Sequence, residues 1–97
     1  MASPDLVARW FALTRTELPG LAAERGWPIH LDHCFQRVLL DNAVGAPWRT
    51  AIPSPAWRNA DDATLRRAIE LGEETAAGEA DLAALNRHSL LLGGTLR

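Results

Sequence analysis

Apolar residues recur on a helical period along one central stretch of the chain. The positions that share one face of a 3.6-residue helix are Leu31, Cys34, Phe35, Val38, Leu39 and Asn42. Leu40 points almost the opposite way, so we expect this helix to pack on more than one side. It begins near residue 31 or 32 and ends at Gly45, because Pro47 cannot continue it. We therefore predict a central helix with Phe35 and Val38 among the most buried residues.

A polar stripe runs along the same helix, and its successive members lie about one helical turn apart: His30, His33, Arg37 and Asp41. Arg37 and Asp41 have the spacing of an ion pair, although acid before base is the better order. The simpler interpretation is a solvated helix face. Asn42 interrupts the apolar face, and we expect its amide to satisfy backbone groups of the segment that follows.

Three further helices surround the central one. Ser3 and Pro4 start the first, which we predict to extend to Glu17, with an interruption at Pro19-Gly20 before one more turn to Arg25. The third opens over residues 59–62 and ends at Gly78, and the fourth spans about Ala80 to Leu92. We expect a frayed tail at residues 95–97. The pattern predicts one all-α domain over residues 1–97, a small four-helix domain.

Gly72 falls in the middle of the inward face of the third predicted helix. A missing side chain at such a position lets another helix approach closely. The alternative is a weak spot that the helix tolerates.

Residues 46–60, which we call the strap, join the second and third helices. The strap is rich in proline and tryptophan, with Pro47, Trp48, Pro53, Pro55 and Trp57. A segment of this composition buries area and costs little entropy to fix, so we expect it to be ordered without a helix of its own. Trp57 should pack near the C-terminal part of the central helix, while Arg49 and Arg58 should remain accessible.

Composition narrows the class of protein. The formal charge of −2 argues against nonspecific nucleic-acid binding, and all ten basic residues are arginine. One cysteine excludes an internal disulfide and is typical of the reducing cytoplasm, where we expect the protein. No apolar run reaches membrane-spanning length, so we expect no membrane association.

His30, His33 and Cys34 form one candidate constellation. Their spacing brings imidazole and thiolate ligands to one side of a helical turn, as in zinc sites, but a fourth ligand lacks diagnostic spacing. The dipole of the helix would also activate Cys34 as a nucleophile with a neighbouring histidine as base. We favour Cys34 as a buried apolar residue, with no metal, no cofactor and no catalytic residue; a small enzyme or metal-binding protein is the alternative.

The polar stripe and the strap form the second constellation, and we favour it. Its members are His30, His33, Arg37, Asp41, Trp48, Arg49, Trp57 and Arg58. Arginines beside aromatic rings suit an anionic or planar ligand, or a protein interface. The sequence thus predicts a binding or interaction module whose partner is a protein, including a second copy of the chain, or a small anionic ligand.

The pattern His33-Cys34-Phe35-x-Arg37-Val38-x-x-Asp41, followed by Gly45-x-x-Trp48 and Pro55-Ala56-Trp57, resembles a family of small uncharacterised bacterial proteins. The similarity covers about residues 26–71 and implies a helical fold. Some members carry a GNAT-type N-acetyltransferase label. That fold requires a central sheet and a glycine-rich turn, neither of which this sequence contains, so we do not expect acetyl transfer.

Overall fold

The computed structural model describes residues 3–94, and every regular element in that range is helical. The elements are α1 (Pro4–Ala12), a π-helical segment (Leu13–Glu17), α2 (Leu18–Arg25), α3 (Asp32–Val44), a 3-10 turn (Trp48–Thr50), α4 (Ala56–Asn59), α5 (Asp62–Ala76) and α6 (Leu82–Leu92). Because α1, the π-helical segment and α2 are continuous, the domain has four long helices, which confirms the predicted fold class. Within residues 3–94, no helix is both long and apolar enough to cross a membrane. The prediction of a frayed tail lies outside the described residues.

Helix α3 is central, as its pattern predicts. It contacts α2, α5, α6, the π-helical segment and the 3-10 turn. Phe35 and Val38 are fully buried on one side, and Leu40, which points the other way, is only 2% exposed. Gly45 ends the helix in the left-handed conformation, with φ 81° and its N–H donating to the Asp41 carbonyl. Burial on both faces explains why an apolar residue is needed behind the main apolar face.

Two positions at the start of α3 differ from the prediction. Leu31 is the N-cap residue, with extended backbone, and its side chain is 46% exposed rather than part of the core. Cys34 is half-buried, so the prediction of a buried thiol is wrong. Leu31 thus precedes the helix, and Cys34 lies in its first turn.

The first helix continues through residues 19–20, so the predicted interruption there is wrong. Within Leu13–Glu17 the helical turn is wider, and the Leu18 N–H donates to the carbonyl of Leu13, five residues back. A proline inside a regular α-helix lacks a donor and clashes with the carbonyl four residues earlier. The wider turn just before the proline changes that spacing, and the helix extends to Arg25.

Helix α5 begins at Asp62, within the range of residues 59–62 that the sequence indicated. The Asp61 carboxylate is the N-cap and accepts the Thr64 N–H at 2.7 Å, whereas Asn59 belongs to α4. Gly72 is buried on the inward face, where an added Cβ would lie 2.4 Å from Leu13 Cδ2. The close approach of the first helix to α5 therefore depends on that glycine.

The strap contains two short helical elements, the 3-10 turn and α4, which the sequence did not predict. The 3-10 turn contacts α3, and α4 contacts α1. Three strap residues, Ile52, Ala56 and Ala60, are buried in the core. Trp57 packs against the domain, as predicted, and its ring contact is with Phe11 of α1, with ring centroids 5.8 Å apart.

Candidate functional site

A groove of about 480 Å³ lies where α3, the strap and the end of α6 meet. Helix α3 contributes His33, Gln36, Arg37, Leu40 and Asp41. The strap contributes Pro47, Trp48, Arg49, Ser54, Pro55, Ala56 and Trp57, and the remaining walls are Trp10, Ser89, Leu90 and Gly93. This volume falls in the range of small-molecule sites, which are mostly apolar with a few placed polar groups.

Arg37 is half-buried on α3 and connects this helix to α6. Its Nη1 donates to Ser89 Oγ at 2.6 Å, and its Nη2 donates to Asn86 Oδ1 at 2.9 Å. A guanidinium has five N–H donors, so these two bonds fix its plane without exhausting its donors. The simpler interpretation of the stripe, a solvated helix face, is therefore wrong for Arg37.

Asp41 is almost completely buried, and both of its carboxylate oxygens accept hydrogen bonds. Oδ1 accepts the backbone N–H of Trp48 at 2.8 Å, and Oδ2 accepts the Ser89 hydroxyl at 2.6 Å. Ser89 thus lies between Arg37 and Asp41. The ion pairs within 4.0 Å among residues 3–94 do not include a direct pair of Arg37 with Asp41. The predicted direct pairing of Arg37 with Asp41 is replaced by a bridge through a serine on another helix.

The groove has an excess of formal positive charge although the whole chain carries −2. Arg37 and Arg49 line it, against Asp41 as the one acidic residue in the lining. Within residues 3–94, none of the ion pairs involves either arginine. An anion entering this groove would therefore meet two guanidinium groups that no described carboxylate neutralises directly.

Three of the four tryptophans line the groove, and they differ in exposure. Trp10 is 1% exposed, Trp48 is half-buried, and Trp57 is 40% exposed. The Arg49 guanidinium carbon lies 5.1 Å from the centroid of the Trp48 ring, within the distance of a cation–π contact. Flat apolar surface and positive charge therefore occur side by side in the strap.

Gln36 connects the groove to the π-helical segment. Its Nε2 donates to Thr14 Oγ1 at 3.0 Å, and the Thr14 hydroxyl donates to the Trp10 carbonyl at 2.9 Å. Thr14 is fully buried, so this chain of bonds supports one wall of the groove from inside the core. Sequence reasoning missed Gln36, since nothing in its spacing distinguishes it from a solvated residue.

The structure brings together six of the eight residues predicted for the stripe-and-strap site: His33, Arg37, Asp41, Trp48, Arg49 and Trp57. His30 and Arg58 are exposed and do not line the groove. His30 precedes α3, and Arg58 lies in the short helix α4.

Asn42 has a different role from the predicted one. Its Nδ2 donates to the carbonyls of Val38 and Leu85, and its Oδ1 lies 2.8 Å from His88 Nδ1. Because the amide nitrogen serves both carbonyls, the Oδ1 accepts from His88, which must carry its proton on Nδ1. Asn42 therefore connects α3 to α6, while Asp41 supplies the contact with the strap.

His30, His33 and Cys34 do not form a metal-ligand group in the part of the chain that the structure describes, where no three such side chains are close enough to hold an ion. The His33 side chain is exposed, and its Nδ1 lies 3.5 Å from Asp32 Oδ1. Among the described hydrogen bonds, none joins Cys34 Sγ to an imidazole. The nucleophile–base contact that covalent catalysis requires is thus not formed here.

Comparison of the chain with protein-family models, with curated proteins and with solved structures gives no match. The resemblance to small bacterial proteins around residues 26–71 therefore stays a prediction. Function has to be inferred from the groove, its charges and its aromatic walls.

Proposed function

We propose that this protein is a small cytoplasmic binding module and that the groove beside α3 is its binding site. The observation that carries the proposal is the position of Arg37, whose guanidinium is fixed by two hydrogen bonds at the edge of an apolar groove. Fixing a long side chain before binding reduces the entropy lost when a ligand binds.

Binding accounts for the polar groups of the groove better than catalysis does. The Asp41 oxygens are already occupied by the Trp48 N–H and the Ser89 hydroxyl. Ser89 is 1% exposed, and no described hydrogen bond joins it to a histidine. A serine whose proton is held by a buried carboxylate, without an imidazole, lacks the usual arrangement of an activated nucleophile.

The proposal is tested by nuclear magnetic resonance of the full chain labelled with ¹⁵N. Mixtures of small neutral, cationic and anionic compounds are added while the four tryptophan indole N–H signals are followed. Trp10, Trp48 and Trp57 line the groove, whereas Trp27 does not. Saturable shifts confined to the groove tryptophans would support the proposal, and no saturable shift with any mixture would contradict it.

A matched pair of variants distinguishes binding in the groove from nonspecific adsorption to exposed apolar surface. Trp57→Ala removes a groove residue that is 40% exposed, and Leu91→Ala removes a similarly exposed apolar residue outside the groove. Binding should weaken in Trp57→Ala and stay unchanged in Leu91→Ala. Equal weakening in both variants would indicate nonspecific adsorption.

A further inference from the structure

We infer that the ligand of this groove is a monoanion in which a carboxylate is joined to a flat apolar group. The inference rests on the proposed function, because it names the chemistry that the same groove would select. Three features carry it: the Arg37 donors that no described residue occupies, the single acidic residue in the lining, and the tryptophan walls.

Arg37 keeps guanidinium donors that no described residue occupies. Ser89 Oγ and Asn86 Oδ1 each take one N–H, from Nη1 and Nη2 respectively. Among residues 3–94 this leaves Nε–H and one N–H on each terminal nitrogen without a described partner. Two parallel N–H groups of a guanidinium bind the two oxygens of a carboxylate together, which a lysine does not reproduce.

The charge balance favours one negative charge on the ligand rather than two. Arg37 and Arg49 are opposed by the Asp41 carboxylate, which leaves a formal excess of one positive charge with neutral histidine. Ser89, Leu90 and Gly93 place the C-terminal end of α6 at the groove, where helix carbonyls carry partial negative charge. A phosphate dianion would exceed this single formal positive charge and would lie near those carbonyls, so a monoanion is the better match.

The body of the ligand is specified by the aromatic walls. Trp48 and Trp57 line the groove, and Pro47 and Pro55 add further apolar surface to its lining. Offset stacking on tryptophan suits a planar group, and the Arg49 guanidinium beside the Trp48 ring adds positive charge near the same surface. An aromatic ring a few bonds from a carboxylate satisfies all of these groups at once.

Such chemistry has two sources, a free aromatic acid or the C-terminal carboxylate of a chain that ends in an aromatic residue. Both place an ionised carboxylate beside a ring. They differ in whether additional peptide groups extend out of the groove. The experiment below therefore includes one arm for each source.

The central test compares 3-phenylpropanoate with two matched compounds, using the indole signals and the Arg37 Nε–H signal. Phenethylamine keeps the ring and spacer but carries an ammonium group, and propanoate lacks the ring. We expect saturable shifts with 3-phenylpropanoate and binding weaker by about tenfold or more with each control. The tripeptide N-acetyl-Gly-Gly-Phe and its C-terminal amide form the second arm; tighter binding of the acid than of 3-phenylpropanoate would identify a chain terminus as the source.

Variants test the residues themselves. Arg37→Lys keeps the charge but removes the fork, and it should weaken 3-phenylpropanoate binding by about tenfold or more. Arg49→Gln alters an exposed residue without described ion pairs, so it keeps the inference testable if Arg37→Lys fails to fold. Arg58→Gln is the control, because Arg58 is an exposed arginine of the same strap outside the groove. Unchanged binding in Arg49→Gln and in a folded Arg37→Lys would overturn the inference.

Other outcomes also contradict the ligand class and distinguish it from the proposed function. Equal binding of phenethylamine would show an apolar groove without charge selection, so the inference would fail while the binding function survived. Tighter binding of 2-phenylethyl phosphate than of 3-phenylpropanoate would overturn the inference that the groove selects a monoanion. If none of these compounds binds but a neutral compound in the mixtures does, only the inference fails; if nothing binds, both fail.

Discussion

The Asp41 carboxylate on α3 accepts the backbone N–H of Trp48 at a distance of 2.8 Å, across seven residues of chain. This bond fixes the beginning of the strap on the central helix. Because Asp41 is 4% exposed, water does not compete for the bond. The same carboxylate accepts the Ser89 hydroxyl, so one side chain connects α3, the strap and α6.

Asp41→Ala should lower the free energy of unfolding by about 2–4 kcal/mol, because it leaves the Trp48 N–H and the Ser89 hydroxyl without acceptors. Urea unfolding measures the loss. Asp41→Asn is the control, since its carbonyl oxygen still accepts from Trp48 and a smaller loss is expected. In Asp41→Ala, the Trp48 amide should also exchange its hydrogen faster. A stability equal to the parent would show that the strap is held by its apolar contacts alone.

Two glycines of helical conformation should respond to alanine in opposite ways. At Gly72, an added Cβ would lie 2.4 Å from Leu13 Cδ2 and 3.1 Å from Leu39 Cδ1, so Gly72→Ala should cost about 1–3 kcal/mol of unfolding free energy. At Gly20 nothing lies within 4 Å, so Gly20→Ala should gain about 0.4–1 kcal/mol. Thermal unfolding of both variants measures the difference. A stabilised Gly72→Ala would contradict the close packing of α5 on the first helix.

The framework of the fold was accessible from the sequence because local chemistry determines it. The bounds of α3 follow from its apolar period and from Gly45 with Pro47 beyond it. Burial on both sides of α3 follows from the position of Leu40 opposite the main apolar face. The sequence also predicted that the stripe and Trp48 lie close together, because the strap begins only a few residues after Asp41.

Other features depend on contacts that no local pattern records. Arg37 bonds Asn86 and Ser89, which lie 49 and 52 residues further along the chain. Trp57 packs on Phe11 because α4 contacts α1, a relation that only the assembled helices determine. The wide turn before the proline replaced the break that its ring usually causes, and the half-burial of Cys34 depends on the packing around it.

Phe35→Ala should be among the most destabilising substitutions in the protein. Phe35 is fully buried and meets the Trp27 ring edge-on at 5.8 Å, so truncation should cost about 3–5 kcal/mol. Leu31→Ala, at the N-cap of the same helix, is the control, and at 46% exposure it should change stability by about 0.5 kcal/mol or less. Unfolding of Phe35→Ala near the parent temperature would show that α3 is not the centre of the core.

Asp61 should make stability fall at acid pH. The Thr64 backbone N–H, and then the Thr64 side chain, hold the pKa of the Asp61 carboxyl below its ordinary value of 3.8. A lowered pKa in the folded state means that this stabilisation is complete above the ordinary value and is lost as pH falls through the folded value. Asn caps a helix without titrating, so the Tm of Asp61→Asn relative to the parent should rise on acidification.

The measurement is thermal unfolding of parent and Asp61→Asn between about pH 6 and about pH 2.5, a range that brackets the ordinary aspartate pKa. Glu24→Gln serves as the control, because Glu24 is exposed and its carboxylate makes no hydrogen bond or ion pair among residues 3–94. A Tm difference for Asp61→Asn that does not change with pH would remove Asp61 from the acid response.

The π-helical segment sets the angular phase between the two halves of the first helix. Each residue of a regular α-helix turns the chain by about 100° around the axis, so one residue more or less rotates everything before it. Trp10 lies before the segment and faces the groove, whereas Ala22 lies after it and faces the core. If the residues of Leu13–Glu17 formed regular α-helical turns instead, Trp10 would lie roughly 100° further round the axis relative to Ala22. The shape of the groove wall thus depends on the wider turn in this segment.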